Sequence, residues 1–75
     1  MDIKAAKNIT GMTEEKIRVT NPLSGHYVSG LAGNFCYYDG YLTFTFKSIE
    51  AQSEGIERPF IPGTYSFDYN WVELA

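Results

Sequence analysis

Asn34-Phe35-Cys36-Tyr37-Tyr38-Asp39-Gly40-Tyr41-Leu42-Thr43-Phe44-Thr45-Phe46-Lys47 is the stretch that decides the fold. Asp-Gly supplies the positive backbone φ angles that a tight type I′ turn demands. Its flanks are aromatic and β-branched, the residue types that favour strands. With Asp39 and Gly40 as the turn, Tyr38 falls opposite Tyr41, Tyr37 opposite Leu42, Cys36 opposite Thr43 and Phe35 opposite Phe44. Opposed residues share a face of the ribbon. One face then carries Phe35, Tyr37, Leu42, Phe44 and Phe46 and must be core. The other carries Cys36, Tyr38, Tyr41, Thr43, Thr45 and Lys47, half polar and suited to solvent.

Working towards the C-terminus, Pro62-Gly63 reads as a type II turn. Beyond it Tyr65, Phe67, Tyr69 and Trp71 alternate with Thr64, Ser66, Asp68 and Asn70. That period of two predicts a half-buried strand over 64–71 with the rings in the core. Towards the N-terminus, Ile17 and Val19 alternate with Lys16, Arg18 and Thr20, which predicts a strand ending at Asn21-Pro22, because proline breaks a ladder. A further strand is expected over 26–29, with Gly25, Gly30 and Gly33 marking bulges or bends. Gly30-Leu31-Ala32-Gly33 lacks the Lys-Ser/Thr ending of a phosphate loop and reads as a bend between strands. Helical signals are short: an amphipathic turn or two over 2–9, a capping Thr13 ahead of Glu14-Glu15, and a segment over 48–54 closed by Gly55. The expected fold is mainly β, or α+β with one short helix. It is a small antiparallel sheet or small barrel of four to five strands in a single domain over 1–75.

A chain of 75 residues holds one domain, and one this short buries only about 60% of its unfolded surface. Six Tyr, five Phe and one Trp supply the core instead of crosslinks, since each ring buries roughly 150–250 Å². The lone Cys36 excludes an internal disulfide and fits a reducing compartment. No apolar run reaches the length of a membrane helix, and 1–7 has no continuous apolar signal region, so a cytoplasmic location is expected. The net charge of −3 is uneven. Lys4, Lys7, Lys16 and Arg18 outweigh Asp2, Glu14 and Glu15 in the first twenty residues, whereas acids dominate the rest. A basic stripe for phosphate contacts is missing, which counts against nucleic acid and towards a basic protein partner.

Chemistry-bearing residues are sparse. Cys36 and His26 are the single cysteine and histidine. A nucleophile and base need adjacency and an orienting third group. Cys36 falls mid-strand, where a thiol acts as a small hydrophobe, and His26 reads as an exposed loop residue. Glu50, Glu54, Glu57, Asp39 and Asp68 lack the regular spacing of a calcium loop and read as solvated charges. No catalytic residue, metal ligand or cofactor motif is assigned, and an enzyme is the least favoured class.

The expected function is a small non-enzymatic protein-interaction module or stoichiometric inhibitor. Small phage-encoded and mobile-element inhibitors, of the anti-CRISPR and anti-restriction kind, share this profile by analogy of type alone. The expected contact surface is Tyr38, Asp39 and Tyr41 together with Glu50, Glu54 and Glu57, because tyrosine offers large rigid contact area at low entropy cost. Two other classes compete. One is a structural subunit of an oligomer or virion, favoured by exposed strand edges. The other is a small β-barrel binding carbohydrate or single-stranded nucleic acid on stacked rings.

Overall fold

In the computed structural model, which describes residues Met1–Ala75, the chain forms a short helix and five strands. Helix α1 (Ile3–Asn8) starts at Asp2, whose carboxylate accepts the Ala5 amide at 2.7 Å, and runs into a 3-10 turn, Ile9–Gly11. The strands are β1 (Glu15–Thr20), β2 (Tyr27–Tyr38), β3 (Tyr41–Gln52), β4 (Gly63–Asp68) and β5 (Val72–Leu74). All pairings are antiparallel, in the order β4-β3-β2-β1-β5.

The turn at 39–40 forms as its chemistry requires, with φ of 49° at Asp39 and 85° at Gly40. Tyr38 pairs with Tyr41, Tyr37 with Leu42 and Cys36 with Thr43. The expected Phe35–Phe44 pair does not form in the ladder. Asn34 turns to φ 56° and the register slips, so that Gly33 meets Thr45 and Ala32 meets Phe46. The slip keeps Phe35 on the inner face, where its ring lies 5.8 Å from that of Phe44.

Several sequence expectations are corrected by length. The strand expected over 26–29 begins at Tyr27 and is the start of one long strand, β2, and Gly30-Leu31-Ala32-Gly33 lies inside it instead of bending between strands. The glycines do mark bulges, with register shifts at Ser29/Gly30, Leu31/Ala32 and Gly33/Cys36. A Cβ on Gly30 would sit 2.1 Å from the Ser48 carbonyl oxygen, so the backbones approach there as only glycine allows. The segment 48–54 is not helical. β3 continues to Gln52, because Ile49 and Gln52 find ladder partners in Gly30 and Val28. Thr13 caps no helix, and the strand begins at Glu15. Gly63 is the first ladder residue of β4, opposite Phe46, with φ 158°, far from the value near +80° of a type II turn. The C-terminal strand stops at Asp68, whose carboxylate accepts the Asn70 amide at 2.9 Å and starts a second 3-10 turn, Tyr69–Trp71.

That second turn shapes the molecule. It joins β4 to β5, the two outer strands of the sheet. In a flat sheet of five strands those edges stand about 19 Å apart, at roughly 4.8 Å per strand. Three residues of 3-10 helix advance only about 6 Å. The sheet must therefore roll until its edges approach, and the three bulges in the β2–β3 hairpin supply the bend. It is an open sheet, rolled towards a barrel without a ladder between β4 and β5.

Inside the roll lie Ile17, Val19, Val28, Ala32, Phe35, Leu42, Phe44, Phe46 and Val72, joined by Ile9 from the first 3-10 turn. Phe44 is the hub, with ring centroids of Phe46, Phe35 and Phe67 at 5.0, 5.8 and 5.9 Å. Such offset and edge-on ring pairs add about 0.5–1.5 kcal/mol each beyond their buried area. The outer face is polar. Thr43 donates to Ser66 at 3.0 Å and Thr45 pairs with Thr64 at 2.9 Å. Lys16 reaches Glu50 at 3.2 Å, and Lys47 reaches Glu14 at 3.2 Å across Gly33.

Candidate functional site

The hairpin tip is built from β2 and β3 and held from outside. The Tyr69 amide donates to the Gly40 carbonyl at 3.1 Å, which ties the turn to the second 3-10 segment. Tyr37 turns inward and meets Tyr69 edge-on at 5.8 Å, with the Lys7 ammonium 6.0 Å from its ring centroid. Tyr38 and Tyr41 turn outward, 79% and 56% exposed, with exposed Asp39 between them. No layer of structure covers this face of the ribbon at the tip.

The acidic candidates do not join that patch. Glu50 lies nine positions after Tyr41 on β3, a contour of about 30 Å at 3.3 Å per residue, and is paired with Lys16. Glu54 and Glu57 follow in the loop 53–62 that leads to β4. The expected single surface of tyrosines and acids is thus two separate regions. Separation along the chain has the same effect on Cys36 and His26. Cys36 is exposed on the outer face opposite Thr43, whereas His26 precedes the other end of β2. His26 is half-buried and not a free loop side chain: its Nδ1 lies 3.2 Å from Ser53 Oγ, which also accepts the Tyr27 amide at 3.0 Å. No group of three or more His, Cys, Asp or Glu lies close enough together to hold a metal ion. No helix is long and apolar enough to cross a membrane.

The largest concavity, a cleft of about 380 Å³, lies at the mouth of the roll beside His26. Buried Val19 and Val28 join it to the core, and Tyr27, Ile56, Phe60, Phe67 and Trp71 complete its apolar lining. Asn21, Ser24, His26 and Glu57 stand at its polar edge. The loop that carries Phe60 is pinned at its C-terminal end. Gln52 Oε1 accepts the Phe60 amide at 2.7 Å while its Nε2 donates to the Phe60 carbonyl at 3.2 Å. Tyr65 donates its hydroxyl to the Ile61 carbonyl at 2.8 Å. Sequence reading missed this cleft because it placed Tyr69 and Trp71 in one continuous core strand. The available signal was Phe60, an isolated ring in a loop otherwise rich in Glu, Gly and Pro. Comparison of the chain with protein-family models, curated proteins and solved structures finds no match.

Proposed function

We propose that the protein is a small non-catalytic interaction module that binds a protein partner through Tyr38, Asp39 and Tyr41. The observation that carries this reading is the outward pair of tyrosines on a braced, uncovered hairpin tip. Two rings fixed by a type I′ turn offer contact area with little ordering entropy left to lose. The acidic balance beyond residue 20 favours a basic partner surface. Stoichiometric inhibition, of the kind small phage or mobile-element proteins exert, belongs to the same proposal. The test is quantitative pull-down from the native host with wild type and with Tyr38→Ala/Tyr41→Ala, after circular dichroism has established that the variant is folded. One partner is expected to fall by about tenfold or more, as for loss of a binding hot spot. Equal recovery by the folded variant removes the tip from consideration.

A further inference from the structure

The cleft between loops 21–26 and 53–62 has a chemistry that the tyrosine tip does not use. We propose that it binds the methylated ammonium head of a small organic cation. Four aromatic side chains, Tyr27, Phe60, Phe67 and Trp71, line it, and of these the Tyr27 ring is already covered by Arg18. Phe60 and Phe67 already interlock with each other at 6.0 Å, and Phe67 with Phe44. Trp71 pairs with no other ring, although every other core ring does. Its indole packs on the core and is shared between this cleft and a shallower one beside Glu73.

Charge selects among apolar ligands. Glu57 is the one ionic group in the lining, and it has neither a salt bridge nor a hydrogen bond. No Lys or Arg lines the cleft, which disfavours carboxylates and phosphates. The nearby Arg18 is already stacked 4.0 Å from the Tyr27 ring centroid. Several neutral polar atoms at the edge are engaged within the protein: Asn21 Oδ1 accepts the Leu23 amide, Ser24 Oγ accepts the His26 amide, and His26 Nδ1 faces Ser53. Aromatic surface beside one free carboxylate suits a cation whose charge is spread over methyl groups, which is attracted to ring faces and loses its water cheaply. The volume lies within the range of small-molecule sites, about 300–1,000 Å³.

Trp71 is the single tryptophan, so its fluorescence reports occupancy beside it, and the Glu57→Gln variant separates this cleft from the shallower one beside Glu73. Titration at constant ionic strength compares choline with 3,3-dimethylbutan-1-ol, which has the same shape with carbon in place of the charged nitrogen. A saturable change is expected, with choline binding about tenfold more tightly than the alcohol. Glu57→Gln is expected to weaken choline by about threefold to fivefold, as for loss of a partly exposed charge. Tyr38→Ala is expected to leave choline affinity unchanged, so the cleft and the hairpin tip succeed or fail separately. A short peptide carrying trimethyl-lysine separates the two sources of such a group: tighter binding than choline assigns the site to a protein tail, and equal or weaker binding to a free small molecule. Equal affinity for choline and the alcohol, or no saturable response to choline in the wild type, overturns the proposal.

Discussion

The two mouths of the rolled sheet are closed in different ways. At one, α1 and its 3-10 extension lie against β2, with Ile9 and Ala6 fully buried and the N-terminal ammonium donating to the Val72 carbonyl. At the other, no residue of that segment lines the cleft. Loops 21–26 and 53–62 meet over Val19, Val28 and Phe67 and leave the cleft between them. Both mouths expose the same apolar interior, so the difference lies in what covers it. A helical cap puts apolar side chains over the core and excludes water. Two loops put a frame around it instead, one held by the Gln52 and Tyr65 side chains and the other by the Asn21–His26 backbone bond. Leaving the second mouth framed keeps a concave surface available.

Three substitutions break or sharpen that contrast. Phe44→Ala strikes the interior shared by both mouths and should destabilise most, by about 3–5 kcal/mol. The measurement is chemical denaturation, and a cost under about 1 kcal/mol would show that the ring cluster is not the common core. Ile9→Ala removes the plug of the helical mouth. It should cost about 2–4 kcal/mol, within the span of buried isoleucine truncations. It should also raise hydrogen exchange in α1 before the hairpin. Uniform exchange throughout would mean that the lid and the sheet open as one unit. Leu23→Ser lies on the loop framing the open mouth, 92% exposed. It should change stability by no more than about 0.5 kcal/mol. A larger loss would show that this loop covers core, and the distinction between the mouths would collapse.

The hairpin was readable because its information is local. Asp39-Gly40 sets the turn, and the turn sets the first three pairs on either side. The strand at 16–20 and the short helix behind Asp2 were readable for the same reason. The lengths of β2 and β3 were not. Ser48–Gln52 has no strong strand signal of its own and is held extended by Val28, Gly30 and Leu31 across the ladder. Tyr69 and Trp71 satisfy strict alternation yet leave the strand, because Asp68 caps a turn that the alternating pattern does not reveal. Of the candidate residues, the shared face of Tyr38 and Tyr41 followed from the turn, but their exposure did not, since it depends on no helix or loop covering that face. The distance of Glu50, Glu54 and Glu57 from them did not, since it depends on where β3 ends.

Sequence alone determined the turn, the inward row of rings and the placing of Tyr38 and Tyr41 on the opposite face, since neighbouring residues suffice to specify φ angles and the alternation of side chains along a strand. Only the tertiary structure decided how far the strands run, how tightly the sheet rolls and where the roll stays open. Those features arise from pairing between residues far apart in the chain, above all the three-residue link that draws the edge strands β4 and β5 together.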